Sequence, residues 1–433
     1  MSTVVFVLKD VKLDMPRVLQ GIYDQLAQAI LQSAGQAIHQ ALQQHVDESL
    51  RRAPYVRRKH TAGTDVLCCQ RCGSRQRRHF SRNGYRERGW TLAIGHLQIA
   101  LPRVRCQCGG SVRLNWPALP PGQRLGTDCA ALIEHWSALG CSLRQIKAQL
   151  DAGISTSFGL RSLSARLHQL AAQVPAWQAR WLKDVPPVVM LDAIWVTLLE
   201  TTEQEHTDRS GRQRRVKARR HVPVMLALGV WPETGRSAIL DFEIGDGPGE
   251  DRASWLRLLN RLEARGLRPE CGLQLFVHDG CAALIAALEE LFPDVPRQRC
   301  VFHKLRNLLR AIVPPAQASP EERRTYVRGV LRQAARIWQA PTYEEALRRY
   351  QRFRQRWRDE QPDLVATLER DFTDTLTFYH VWNRNRLWAL SYLRTTSRLE
   401  RTNRVIRRRL RCAGAYHSRE GLQAMLAQEL IPT

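Results

Sequence analysis

No stretch of this chain reaches the roughly 18 consecutive apolar residues that a membrane-spanning helix requires. The opening residues, Met1-Ser2-Thr3-Val4-Val5-Phe6-Val7-Leu8-Lys9-Asp10, lack the basic start and small-residue cleavage site of a secretory leader. Both absences argue against a membrane partner, and the expectation is a cytoplasmic protein. Acid is also in short supply: 41 Asp and Glu stand against 66 Lys and Arg, a net charge of +25 over 433 residues. A merely solvated surface mixes the two signs. An excess this large favours a polyanionic partner, held by phosphate neutralisation and counterion release.

A regular disulfide framework is missing too. Of the 11 cysteines, Cys129, Cys141, Cys271, Cys281, Cys300 and Cys412 are scattered singly. The rest cluster as Cys68, Cys69, Cys72, Cys106 and Cys108. In a reducing compartment such a cluster suggests metal rather than disulfides. Cys69-Gln70-Arg71-Cys72-Gly73 and Cys106-Gln107-Cys108-Gly109 look like the two knuckles of a zinc ribbon, in which structural Zn²⁺ replaces a core too small to stand alone. The second knuckle is Cys-x-Cys, shorter than usual, and Cys68 is an alternative ligand. The arginines around it (Arg75, Arg77, Arg78, Arg82, Arg86, Arg88, Arg103, Arg105) suggest contact with nucleic acid.

The pattern along the chain predicts six regions: a helical N-terminal region (1–60); a zinc-ribbon-like module (61–115); a helical, helix-turn-helix-like DNA-binding part (116–184); a catalytic core (185–318); a helical insertion (319–390); and the core's C-terminal helix and tail (391–433). In the first, Leu19, Ile22, Leu26, Ile30, Ala34 and Ile38 recur at helical spacing. In the third, Leu139 to Ile146, Gly153-Ile154-Ser155 and a helix at 161–171 resemble a helix-turn-helix. From Val188 the pattern is strand 188–199, a basic connector, strand 222–231, a turn, strand 237–244, a helix near 250–265, strand 273–278, a helix at 281–291 and a short strand at 298–302. Three antiparallel strands followed by alternating strand and helix describe an α/β domain of ribonuclease-H-like layout. Trp338, Trp357, Trp382 and Trp388 in the insertion are expected to pack helices.

Two apolar runs end in acid. Asp192 closes Val188-Val189-Met190-Leu191, and Asp279-Gly280 closes Leu273-Gln274-Leu275-Phe276-Val277-His278. Each alone is compatible with a strand-end acid that binds a loop amide. In the inferred topology, however, the first and fourth strands pair, which would bring both carboxylates together. A third acid must come from far along the chain, and Glu400 is the candidate, one acid among seven basic residues between Arg398 and Arg411. Leu399, Thr402, Ile406 and Leu410 make the expected packing stripe of its helix, and Glu400, Asn403, Arg404, Arg407 and Arg411 the polar face. The rival acid Glu250 sits where a helix start would simply favour negative charge.

The ordered set of motifs resembles the Mutator-type DDE transposases of bacterial insertion sequences and Mutator-like elements. It consists of Leu191-Asp192-Ala193; Gly249-Glu250 with Trp255; Leu262 to Leu267; Asp279-Gly280; Phe292-Pro293; Gln298-Arg299-Cys300-Val301-Phe302-His303 with Arg306-Asn307; and Thr395 to Arg404. The separations, 279−192 = 87 and 400−279 = 121, leave room for a helical insertion before the last acid. The resemblance implies that Asp192, Asp279 and Glu400 hold two Mg²⁺ ions, with Mn²⁺ as a substitute, about 3.5–4 Å apart. Water would nick DNA at the element end, and the freed 3′-hydroxyl would attack target DNA. It further implies terminal inverted repeats and target DNA as partners, a homodimer or larger assembly on DNA, and a place at the bacterial nucleoid.

Cys300 and His303 match a Cys-x-x-His signature of that family. A zinc role would need further ligands, so positioning of DNA or of the acids is favoured, with Arg306, Asn403 and Arg404 alongside. Arg212, Arg214, Arg215, Lys217, Arg219 and Arg220 in the connector, and Arg407, Arg408 and Arg411 on the last helix, are expected to grip backbone phosphate without reading sequence. The alternatives are a non-catalytic DNA-binding descendant of such an enzyme and a structure-specific nuclease of the same fold.

Overall fold

The computed structural model describes residues 15–51, 54, 67–112, 114, 116, 119, 124–153 and 158–431, without the side chains of 15–20, 22, 23 and 410–413. These form two compact units, divided between Arg166 and Leu167. The first opens with one long helix, α1 (Met15–Leu50), rich in the strong helix formers Ala, Leu and Gln. Its buried stripe runs Leu31, Ala34, Ile38, Leu42, Val46 and Leu50, at the three- and four-residue steps of a helix face. That stripe covers the hairpin β1 (Phe80–Leu92) and β2 (Gly95–Cys106), meeting Trp90, Leu97 and Ile99 at one end and Phe80, Val104 and Val112 at the other. Leu26 and Ile30, expected on the packed face, are exposed. Strand β3 (Ser111–Val112) completes this sheet in the order β1-β2-β3. Helices α2 (Thr127–Ala138), α3 (Leu143–Gly153) and α4 (Leu160–Ala171) follow. Gly153 closes α3, while Ile154 and Ser155 of the expected helix-turn-helix lie outside the described residues.

The second unit contains a short helix α5 (Val174–Gln178) and a five-stranded sheet ordered β6-β5-β4-β7-β8. Strand β5 (Gln213–Trp231) pairs antiparallel with β4 (Val188–Thr207) on one side and with β6 (Arg236–Ile244) on the other. Strand β7 (Leu275–His278) runs parallel to β4, and β8 (Arg297–Arg299) parallel to β7. The expected adjacency of the first and fourth strands is therefore present.

Two boundaries differ from the sequence expectation. The basic connector is mostly strand: β4 and β5 stay paired out to Thr207 and Gln213, and the turn between them is held by Asp208, which accepts from the Ser210 and Arg212 amides. Cross-strand ion pairs Glu200–Arg220 (2.8 Å) and Glu205–Arg215 (3.9 Å) explain why so basic a segment pairs rather than loops. The strand expected at 298–302 ends at Arg299, because Cys300 already caps helix α8 (Val301–Ala311).

Alternation along β4 feeds two cores. Val189 and Leu191 face α6 (Arg252–Ala264) and α7 (Ala282–Leu291), with Trp255, Leu258, Leu262, Leu284 and Leu288. Val188, Met190, Ile194 and Val196 face the opposite layer. That layer holds α8, the insertion helices α9 (Pro320–Ala335), α10 (Tyr343–Trp357), α11 (Pro362–Glu369), α12 (Phe378–Arg384) and α13 (Leu390–Arg394), then α14 (Ser397–Ala413) and α15 (Arg419–Leu430). Trp338, Trp357 and Trp388 are buried there and Trp382 packs at the margin, as expected of core tryptophans.

One buried polar knot links α5 and α6 to the sheet edge. Asp241 is fully buried and accepts from Gln178 Nε2 (2.7 Å), the Phe242 amide (2.7 Å), and Arg261 Nε and Nη2 (3.1 and 3.2 Å). Arg265, also buried, approaches at 3.4 Å. Burial raises the Asp241 carboxyl's pKa, and Arg261 followed by Arg265 works against that.

Candidate active site and cysteine centre

Register alone brings the two aspartates together. Leu191 of β4 pairs with His278 of β7, so Asp192 and Asp279 each lie one residue beyond that pair, on strands about 4.8 Å apart. Asp279 then turns sharply. Its Oδ1 accepts from the Cys281 amide at 3.0 Å, and Gly280 adopts φ +102°, a conformation that L side chains rarely adopt. A Cβ on Gly280 would also stand 2.3 Å from the Arg299 guanidinium carbon, which is held by Asp371 at 2.8 Å. Gly280→Ala should therefore displace the Asp279 turn. If that turn serves catalysis, a shift of about 1 Å costs on the order of 10²-fold in rate. Wild-type turnover by a folded Gly280→Ala protein would refute this.

Helix α14 brings the third acid from the other layer. Glu400 sits in its first turn, and Leu399, Asn403 and Ile406 are all fully buried. Asn403 thus belongs to the packed stripe, a correction to the polar face assigned from sequence. Its Nδ2 donates to Asp192 Oδ2 at 2.7 Å, which ties the helix to the strand-end acid, and its buried Oδ1 has no partner. Asp192 Oδ1 takes the Ala193 amide at 3.0 Å.

Asp192, Asp279, Glu400 and Glu250 line one cleft of about 980 Å³, together with His303, Arg306, Arg310, Arg404 and Arg407. Glu250 thus stands just ahead of α6, whose N-cap is Asp251, and lines the cleft while its Oε2 accepts from Trp255 Nε1 of that helix at 3.3 Å. Burial, and then the Asp279 charge, push the Asp192 carboxyl up to about 7. Crowded, half-desolvated carboxylates of this kind call for a cation. The oxygens of the three acids do not all lie within 4.8 Å of one another, whereas the cysteine quartet described below does.

His303 links the acids to Cys300. Its Nε2 lies 3.7 Å from Glu400 Oε1, while its Nδ1 is buried without a well-formed hydrogen bond. Burial alone would lower its pKa. The adjacent Cys300 sulfur, then the charges of Asp192 and Asp279, prevail and lift it to about 9. Cys300 is buried and accepts from both the amide and the hydroxyl of Thr396 at 3.3 Å, pinning the start of α14 to the cap of α8.

The basic residues divide by environment. Arg306, Arg404, Arg407 and Arg408 are exposed; the Arg411 side chain lies outside the described residues. In the β4–β5 arm, Arg214 and Arg220 pair with Asp208 and Glu200 at 2.6 and 2.8 Å and Arg215 pairs loosely with Glu205. Arg212, Lys217 and Arg219 are exposed.

In the first unit, Cys69, Cys72, Cys106 and Cys108 bring their sulfurs within 4.8 Å of one another. The Cys69–Cys108 and Cys72–Cys106 distances are 3.5 and 3.8 Å, close to the roughly 3.8 Å that tetrahedral ligands on 2.3 Å Zn–S bonds would have. Backbone amides of Arg71 and Gly110 donate to Cys69 and Cys108 at 3.4 Å. The Cys72 backbone amide, followed by other donors, draws Cys69 down to about 6 against the effect of burial. The Ser74 amide favours a Cys72 thiolate too, but the Cys108 and Cys69 sulfurs outweigh it and push Cys72 up to about 12. Such mutual repulsion is what a bound cation relieves, and the short Cys-x-Cys knuckle still fits the quartet. Cys68 turns away to the carbonyls of Cys69 and Gly73. Of the surrounding arginines, Arg75, Arg78, Arg86, Arg103 and Arg105 are exposed, whereas Arg77 is buried, Arg82 is paired with Asp47 and Arg88 stacks on Trp90.

Sequence reasoning overlooked Trp195 and Phe302. Both line the acid cleft with nearly half of their surface exposed. Their signal was large aromatic residues within motif stretches, three residues beyond Asp192 and one before His303.

Among known proteins, residues 24–429 match a family model described as transposase, Mutator family. The chain is 26% identical over 329 residues to the transposase for insertion sequence element ISRM5 of Rhizobium meliloti, covering 76% of this chain and 72% of that relative. It is 27% identical over 370 residues to the transposase for insertion sequence element IS1081 of Mycobacterium tuberculosis, covering 83% and 78%. The solved Drosophila P element transposase strand transfer complex aligns with 46% of this chain and 44% of its own at 10% identity, and its TM-score of 0.26 is too low to carry weight. No helix among the described residues is long and apolar enough to cross a membrane.

Proposed function

Since the chain belongs to the Mutator family of transposases, we propose that its second unit is a ribonuclease-H-like DDE catalytic core. In this reading it nicks DNA at the ends of an insertion sequence and joins the 3′-hydroxyl to target DNA. The observation that carries the reading is the gathering of Asp192, Asp279 and Glu400 in one arginine-lined cleft. The all-oxygen donor set and the raised Asp192 pKa suit Mg²⁺, with Mn²⁺ as a substitute. When bound, such ions neutralise charge on the reacting phosphate and make water a stronger nucleophile. The chain's own groups do the positioning. Asn403 fixes the Asp192 rotamer, the Gly280 turn aims Asp279, and protonated His303 lies against Glu400. Arg306, Arg310, Arg404 and Arg407 receive backbone phosphates as the strand enters. DNA as partner, with the α3–α4 pair and the cysteine module as candidate end-binding parts, and assembly as a homodimer or larger complex, belong to the same proposal.

The test incubates the full chain with Mg²⁺, labelled duplex carrying the inverted repeats that flank its gene, and a plasmid target. Nicked ends joined to plasmid are expected. Cutting of junction DNA without joining would replace this reading with that of a nuclease, and end binding without cutting would reduce it to a DNA-binding protein.

For the cysteine quartet we propose structural zinc. Purified protein should carry about one zinc per chain, lost on Cys69→Ser with Cys72→Ser. Elemental analysis that finds no zinc in wild type would remove the site.

A further inference from the structure

We propose that Trp195 and Phe302 form a stacking platform for unpaired bases of the DNA strand whose phosphate is cut. The inference rests on the catalytic reading above and extends it to the state of the substrate. Large aromatics in this unit are normally hidden: Trp255 and Trp338 are almost wholly buried, whereas Trp195 and Phe302 keep 46% and 47% of their surface exposed. Single exposed apolar residues need no explanation. These two share one cleft with Asp192, Asp279 and Glu400.

Their places in the fold are fixed. Trp195 stands three residues past Asp192 on β4, opposite Pro223 of β5. Phe302 is the second residue of α8, and its ring meets His303 edge-on at 5.9 Å. A base held by either ring would lie in the cleft that holds the acids. The arginines help select the occupant, because Arg306, Arg310, Arg404 and Arg407 line the same cleft as the two rings. An apolar peptide would leave those guanidinium groups unpaired. A nucleic-acid strand satisfies both, with phosphates on arginine and base faces on aromatic rings. Pairs inside a duplex present only edges, so face-on stacking beside an internal phosphate requires bases that have left the duplex. The platform would hold the end open while the phosphate is attacked.

The experiment measures nicking and joining by the full chain on two sets of duplex ends, fully paired or mismatched at the nucleotides beside the cut. Variants are Trp195→Ala, Trp195→Tyr, Phe302→Ala and the double alanine, with circular dichroism to verify folding. On paired ends each alanine should slow nicking about tenfold or more, the scale of one lost stacked base. Trp195→Tyr should retain most activity, and mismatched ends should restore much of the loss. Alanine variants within twofold of wild type on paired ends would overturn the platform while leaving the enzymatic reading intact. Losses equal on paired and mismatched ends, unrelieved by Tyr, would also overturn it by assigning the rings a structural role. If the wild type neither nicks nor joins either substrate, both proposals fall together.

Discussion

Asp192→Asn, Asp279→Asn and Glu400→Gln should each reduce nicking and joining by at least about 10³-fold, beyond the 10²–10³ typical of losing one preorganised oxyanion donor. Each change keeps the side-chain volume and removes one negative charge. The substitution at Asp192 also leaves Asn403 facing an amide rather than a carboxylate, across a contact of 2.7 Å between buried groups. Binding to end DNA should remain close to wild type, since the exposed arginines are unchanged. Removing acid from a basic cleft can even tighten it. Gel-shift and strand-transfer assays on the same preparations separate the two effects. Retained joining in any one variant would withdraw that acid from the site.

The largest stability effect is expected at Asp241, on the edge strand two strands across the sheet from Leu191. Asp241→Ala would leave the buried Arg265 without its carboxylate, while the partly buried Arg261 would keep Glu243 as its one carboxylate and Gln178 would keep only the Phe242 carbonyl. Breaking one side of a buried ion pair costs about 3–5 kcal/mol, because the stranded charge stays desolvated. At about 2–4 °C per kcal/mol for large domains, the unfolding midpoint should fall by on the order of 10 °C. The three cleft acids lie on other elements, so surviving folded protein should still nick. A midpoint unchanged within about 2 °C would show that solvent reaches these guanidinium groups, contrary to their burial.

How much of this was legible beforehand depended on the physics of each element. Strands β4 and β7 were readable because strands buried on both faces are nearly continuous apolar runs, and their pairing followed from the topology. The outer β4–β5 arm was not, since its strand character comes from cross-strand charge pairs such as Glu200–Arg220 rather than from apolar alternation. Asn403 was placed on the wrong face because a helical stripe count assigns polar residues to solvent. Only the fold shows that the buried stripe passes beneath Asp192. Glu250 reads from sequence as a helix-start acid, and it does precede the α6 cap and accept from Trp255, but only the fold shows that it also lines the cleft. Cys300 was placed in a strand because Val301-Phe302 continues an extended-looking run, whereas it caps α8. The cysteine quartet was visible from spacing alone, and the structure removes Cys68 from it.

Manganese binding measured by electron paramagnetic resonance, with the full chain bound to end DNA, bears most directly on the central claim that three distant acids share a cation site. Two Mn²⁺ per catalytic unit are expected in wild type, with clear loss in each of Asp192→Asn, Asp279→Asn and Glu400→Gln. Undiminished Mn²⁺ binding in the triple variant would contradict it.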